Sequence, residues 1–374
     1  MLISTLDPAP ASQAERLSRL AHRMKRTGQW HDGQAAGRRW TMGCVSLEIT
    51  QRCNLDCTLC YLSDSAEAVR DIPLEEIFKR IDHIALQYGP ETDIQISGGD
   101  PTLRDKAELS QIVRYVRAKG MRASLLTNGI LLNRPWLKSL AEDGLNDVAF
   151  HVDMTQERKG YANEVEMNAL RRTYIDMARG LPVSVIFNTT VYAENMHEIP
   201  AVADFFVQNN DVVRFASFQL GADTGRGTVP GRDPISITQA TVRQAIEQGA
   251  GVALNFDALQ GGHKSCNKYA MLLTVGKRRF DALADGAYVA RLMRETADIA
   301  FPRGQSLRGA WSLFRALLRK RQLLWGCFLR FSRLLWLAKG QLLAASFSRG
   351  KLVSPVRKIS FFIHNFMDAC DLDD

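Results

Sequence analysis

The chain has 374 residues, 46% hydrophobic and 24% charged, which excludes a disordered polymer and leaves room for one large domain with an appendage or for two domains. The formal charge of +8 is uneven: residues 301–360 hold thirteen Lys or Arg and no Asp or Glu, so the remainder is net acidic. No apolar run is long enough to span a bilayer, and residues 1–30, with Asp7 and no apolar core, do not read as a secretory signal, so a cytoplasmic location is expected.

Residues 1–40 read as a helical extension with a loose connection into the body. From Cys44 the pattern becomes regular. The β-branched stretch CVSLEIT reads as a strand, and a cysteine-rich loop follows it. PLEEIFKRIDHIALQYG reads as a helix with Pro73 in its first turn and Ile77, Ile81, Ile84 and Leu86 as its apolar positions. TDIQIS is a strand ending in the loop GGDPT, and DKAELSQIVRYVRAKG is a helix stopped by Gly120. The alternation continues with strands in MRASLLTNG, DVAFHVD, PVSVIFNTTVY and VVRFASFQL, separated by helices in PWLKSLAEDG, EVEMNALRRTYIDMARG and IPAVADFFVQNN. At least six β-to-α units predict a parallel sheet, closed into a barrel or partly closed, over residues 41–235. Functional groups of such a sheet gather at the C-terminal ends of its strands, where the loops TQRCNLDC, SGGDPT, TNG, HVDMTQ, NTT and QLGADTGRG fall. Residues 236–300 read as the end of the barrel or an auxiliary region, with a helix capped by Ser236 or Thr238 and a loop entering a strand at GHKSCNKYAMLLTV. Residues 301–374 read as a basic, hydrophobic, mainly helical extension.

Seven cysteines, three of them within CNLDCTLCY, point to metal or redox chemistry in a reducing compartment. Cys53, Cys57 and Cys60 have C-x3-C-x2-C spacing. A structural zinc site requires four ligands, and the nearest histidine, His83, lies inside a helix, so a zinc knuckle would need a distant cysteine. A four-iron cluster held by three thiolates leaves one iron open, which is useful where a small molecule binds there. Cys44, at a strand start, reads as structural.

This spacing after the first strand of a repeating βα unit resembles the radical S-adenosylmethionine (radical SAM) superfamily. The resemblance implies a partial or complete TIM-like βα barrel, a [4Fe-4S] cluster on Cys53, Cys57 and Cys60, and chelation of the open iron by SAM. It also implies reductive cleavage of SAM to a deoxyadenosyl radical and an electron donor such as ferredoxin or flavodoxin. The residue before the third cysteine is often aromatic in that family; here it is Leu59, with Tyr61 just after. The family's Gly-Gly-Glu-Pro motif corresponds to Gly98, Gly99 and Asp100, where Asp replaces Glu, so the glycine backbone is the firmer SAM contact. Asn128, Asp153 and Asn188 sit at later strand tips as further SAM contacts, although Thr127 and Asn128 read equally as turn formers. Gly221–Gly227 around Arg226 reads as an anion nest or a turn, and His263 with Cys266 as ligands or structural residues.

Several stretches resemble a narrower branch, the proteins related to tetraether-lipid synthase, some described as pterin methyltransferase-like: FHVDMTQERKGY, FNTTVYAENMHEIP, SFQLGADTGRG, GHKSCNKYA and ISFFIHNFMDACDLDD. The lipid-coupling members carry extra cysteine motifs that this chain lacks before Cys44. That leaves Cys266, Cys327 and Cys370 as auxiliary candidates and the substrate open among a lipid, a pterin, a peptide and another small molecule. Residues 311–351 mix Leu, Phe and Trp with Arg and Lys, as an interfacial membrane helix does; the competing reading is a helical pair packed on the barrel, and no nucleic-acid motif accompanies them. A second class of function is a catalytically silent, membrane-associated cluster-binding protein.

Overall fold

The computed structural model describes residues 12–26, 44–63, 65–89, 92–223, 237–259, 266–296, 306–347 and 356–365. One mixed sheet of nine strands organises them. Its first six strands are β1 (Val45–Thr50), β2 (Asp93–Gly98), β3 (Arg122–Thr127), β4 (Leu145–His151), β5 (Ser184–Val191) and β6 (Val213–Leu220), each parallel to the next. The helices between them are α2 (Leu74–Tyr88), α3 (Lys106–Ala118), α4 (Arg134–Glu142), α5 (Asn168–Ala178) and α6 (Ile199–Gln208), after an N-terminal α1 (Gln13–Arg26). The predicted alternation is therefore present, as an α/β fold with a parallel sheet. Among the described residues no ladder joins the two edges of the sheet, so the sheet is a partial barrel.

Hydrophobic periodicity explains the packing. In α2, Ile77, Ile81 and Ile84 repeat at helical spacing and are buried, whereas Leu86, counted with them from the sequence, lies off that stripe and is exposed. Asp105 caps α3 and Asn133 caps α4 through backbone N–H groups two or three residues on. Thr238 opens α7 (Gln239–Ala250) by exchanging hydrogen bonds with Thr241.

The C-terminal quarter departs from the sequence expectation. After α8 (Gly286–Glu295), residues 306–347 are helical as predicted, in α9 (Ser306–Arg319) and α10 (Arg321–Phe347). Residues 356–365, expected within a helical extension, instead form β9 (Val356–Asn365), which is parallel to β6 and antiparallel to β7 (Asn267–Val275). The physical reason is alternation: Ile359, Phe361 and Ile363 are buried, and a two-residue period fits a strand inside a sheet. A hairpin at Gly276, with φ of 58°, then adds the short antiparallel β8 (Arg278–Asp281). No helix among the described residues is long and apolar enough to cross a membrane.

Candidate active site at the strand tips

The cysteine loop leaves β1 and is braced by the tips of the next three strands. Against β2, Gly99 N–H donates to the Thr50 carbonyl at 2.9 Å and Asp100 N–H to the Arg52 carbonyl at 2.8 Å. This approach is why two glycines occur here. A Cβ on Gly98 would lie 1.9 Å from the Thr50 carbonyl oxygen and one on Gly99 2.2 Å from that of Arg52, and Gly98 has φ of 139°. Against β3, Asn128 Nδ2 donates to Asn54 Oδ1 at 2.7 Å and lies 3.9 Å from Cys53 Sγ. Against the turn after β4, Thr58 N–H donates to the Thr155 carbonyl at 3.0 Å. Arg52 forks onto Asp71 and holds that carboxyl below its usual range against the opposing effect of burial.

The three thiols of this loop are close enough to affect one another. Burial raises the pKa of Cys53, and Asp100 and Cys60 add to the rise. Burial pushes Cys57 up to about 12, with Asp153, Cys53 and Cys60 adding to it and the Arg158 guanidinium opposing. Metal binding must therefore displace protons from these sulfurs. Among the described residues no three His, Cys, Asp or Glu side chains are grouped tightly enough to hold one metal ion. A cluster in which each thiolate takes a different metal asks for the wider spread that a nine-residue loop provides. The cysteine trio fits a polynuclear centre.

Two buried carboxylates build the rest of the site. Asp100 is fully buried and accepts from Thr102 N–H at 2.9 Å, Thr102 Oγ1 at 2.5 Å, Thr127 Oγ1 at 2.8 Å and Asn128 N–H at 2.8 Å. Its oxygens are thus committed to its own turn and to the tip of β3. Asp153 is equally buried and accepts from Thr155 N–H at 3.0 Å, Thr155 Oγ1 at 2.5 Å, Thr190 N–H at 2.7 Å and His151 Nε2 at 2.6 Å. Burial works against the charged form of both partners, but their attraction prevails: the His151 pKa is raised and that of Asp153 is well below the usual carboxylate range. Asn188 lies beside His151 in the β4–β5 register and accepts from Val152 N–H at 3.2 Å through its carbonyl.

Sequence reasoning missed the residues that tie these tips together. Arg158 donates to the Asn128 carbonyl at 2.5 Å and to the Tyr174 hydroxyl at 3.0 Å, and Tyr174 donates to the same carbonyl at 3.0 Å. Glu164, paired with fully buried Arg171, accepts from Met154 N–H at 2.9 Å and sets the turn after β4. Nothing local marks these residues, because their partners lie on other elements. One signal was available: the same Asp-x-Thr spacing occurs at Asp100–Thr102 and Asp153–Thr155. Tyr61, after the third cysteine, donates from its hydroxyl to the Gly98 carbonyl at 2.9 Å. Arg226, His263 and Cys370 lie outside the described residues. Cys266 and Cys327 are half-buried; the Cys266 carbonyl accepts from Asn365 N–H at 2.7 Å, and Cys327 Sγ lies 2.6 Å from the Tyr288 hydroxyl.

Comparison with known proteins gives the same segment. The Radical SAM superfamily matches residues 47–206. The chain is 32% identical over 208 residues to Fe-coproporphyrin III synthase of Methanosarcina barkeri, covering 54% of this chain and 49% of that protein. It is 29% identical over 188 residues to the 7,8-dihydro-6-hydroxymethylpterin dimethyltransferase of Methanocaldococcus jannaschii, covering 49% of this chain and 37% of that one. Among solved structures, anSMEcpe with bound AdoMet is similar at 20% identity and a TM-score of 0.39, over 48% of this chain and 52% of that one. The chain spans about half or less of the length of these two curated relatives.

Proposed function

From a chain whose residues 47–206 match the Radical SAM superfamily, we propose an enzyme that cleaves S-adenosylmethionine reductively and uses the product to abstract hydrogen from a bound organic substrate. The observation that carries this reading is the loop of three mutually interacting thiols braced by a glycine pair that tolerates no side chain. Cys53, Cys57 and Cys60 would hold a [4Fe-4S] cluster, which when bound would supply the electron for SAM cleavage.

The chain's own residues do the positioning. Gly98 and Gly99 bring main chain against the cysteine loop and present backbone to the methionine end of SAM. Asp100 acts through this loop: its carboxylate fixes the turn and the Asn128 N–H rather than reaching the ligand. Asn128 orients the cysteine loop through Asn54. Asp153 holds His151 by Nε2, which leaves Nδ1 for a bound group, and the raised pKa favours a ring carrying both protons. Asn188 stands beside it. A low-potential donor such as ferredoxin or flavodoxin supplies the electron.

Anaerobic reconstitution is expected to give about four irons per chain, and replacing all three cysteines by Ala to give almost none. SAM with dithionite then releases 5′-deoxyadenosine. A loaded, reduced cluster that releases none establishes the silent cluster-binding protein instead.

A second element of the reading concerns where the enzyme works. Trp311, Phe314, Leu318, Trp325, Phe328 and Trp336 are exposed along α9 and α10 beside exposed Arg315, Arg319, Lys320 and Arg321. Apolar rings with cations suit an anionic membrane surface, each cation contributing roughly 1 kcal/mol there. Sedimentation with phosphatidylglycerol vesicles at low salt retains the protein, and retention falls as salt rises and when the four cations become Gln. Equal retention by that variant removes the membrane role.

A further inference from the structure

Strand alternation divides the sheet into two faces, and the aromatic residues mark them differently. On the face packed by α6, Phe187, Phe218 and Phe361 are fully buried around Phe206 of that helix; Phe187 stacks on Phe206 with centroids 5.1 Å apart and Phe218 on Phe361 at 6.4 Å. The opposite face carries a lateral row fixed by register. His151 pairs with Asn188, Asn188 with Ser217, Ser217 with Phe362, and Phe362 with Tyr269.

At the far end of this row the rings are half-buried. Phe215 stacks on Phe362 at 5.8 Å, His364 lies 4.3 Å from Phe362, and Tyr269 meets it edge-on at 6.2 Å. Burial lowers the His364 pKa to about 4, so its ring is neutral and adds to an uncharged aromatic wall. Between the wall and His151 the face is polar. Ser217 is 2% exposed and its hydroxyl has no hydrogen-bond partner among the described residues. The side-chain amides of Asn188, 7% exposed, and half-buried Gln219 make no hydrogen bond among the described residues. Gln219 and His364 face each other one rung further along the β6–β9 ladder. At a strand spacing of about 4.8 Å, Phe362 stands about 10 Å from Asn188, within reach of a group bound at the β4–β5 tips.

An acyl chain would cover the rings and leave Ser217 and Gln219 unpaired, and a buried unpaired polar group is costly. A peptide would pair with the amides but gain little from four clustered rings. A flat π-system with polar edges uses both halves of the face.

We propose that this row is the substrate subsite and that it takes a planar, conjugated ring system, stacked on Phe362 and hydrogen-bonded at its edge by Ser217 and Gln219, with Asn188 at the boundary with the SAM contacts. The proposal names the substrate class of the radical SAM reading and rests on it for the reaction, but its binding half stands apart.

The test is equilibrium dialysis of the full chain, with and without reconstituted cluster, against three probes: 7,8-dihydro-6-hydroxymethylpterin, Fe-coproporphyrin III and palmitate. One of the two ring compounds is retained and palmitate does not displace it. Phe362→Leu raises its Kd about tenfold, the scale of one lost stacking contact. Gln219→Leu, away from the ring stack, weakens it several-fold and serves where Phe362→Leu proves unstable to heat. Retention of neither ring compound, displacement by palmitate, or unchanged Kd in both variants overturns the proposal. If a chain that cleaves SAM binds no ring, this inference fails and the radical SAM reading stands. If a chain that never holds iron binds a ring through Phe362, the reverse is true.

Discussion

Asp100 and Asp153 are the same device built twice. Each lies at or just past a strand tip, caps a short 3-10 turn, takes two hydrogen bonds from a Thr two residues later, and captures the N–H of a residue at the end of the next strand, Asn128 or Thr190. They differ in their last donor. Asp100 takes the neutral hydroxyl of Thr127, whereas Asp153 takes the ring of His151, whose side chain keeps 32% of its surface exposed. The first clamp is closed on itself and serves geometry. The second joins a buried anion to a partly accessible group that titrates, so the β4–β5 side of the site carries the proton chemistry and the β2–β3 side carries the shape.

The sharpest break falls on the geometric clamp. Gly98→Ala forces a Cβ into the Thr50 carbonyl at a φ that L residues rarely adopt, and a loss of about 3 kcal/mol or more is expected, with iron retention falling alongside thermal stability. Asp100→Ala removes the acceptor from two buried N–H groups and two hydroxyls. Its cost is on the order of 3 kcal/mol, read as a Tm lower by roughly 4 °C. Asp100→Asn restores part of it, because one amide oxygen still accepts.

Smaller changes separate the second clamp from the first. The His151 pKa is raised by folding, so its contribution is complete below about 6.5 and is lost as pH rises through the folded value; that of Asp153 is lowered, so its contribution is complete above about 4 and is lost as pH falls through the folded value. The stability difference between the wild type and His151→Gln is therefore largest between about pH 4 and 6.5 and shrinks on both sides in urea titrations. The smallest effect belongs to Tyr61→Phe, which removes one hydrogen bond to Gly98 from a mostly exposed ring and costs about 0.5–1 kcal/mol.

Much of this was legible in the chain. The βα alternation fixed the parallel sheet, the spacing of Cys53, Cys57 and Cys60 marked the loop, and Gly98–Gly99 announced a close approach. Long-range pairing was not legible. Thr58 meets Thr155 across 97 positions, and Arg158 reaches Asn128 across 30, because periodicity reports which face a residue occupies and not which strand lies beside it. The same limit hid β9. Its alternation was present in KISFFIHN, but next to a long helical stretch it read as part of an extension, and its neighbours β6 and β7 are far away in sequence.

The position of β9 also dictates when the fold can be finished. The strand sits between β6 and β7, so among the described residues the β7–β8 hairpin joins the ladder of the six parallel strands only through residues 356–365. During synthesis the first six strands can pair in order as they emerge, but the hairpin must wait, with one edge exposed, for some eighty residues, until β9 leaves the ribosome. At synthesis rates of about 5–20 residues per second that wait lasts roughly 4–16 seconds, time enough for a chaperone to act. The half-buried rings of Phe362 and His364 come together with Phe215 and Tyr269 only at that last step, so the aromatic wall is absent from every shorter nascent chain.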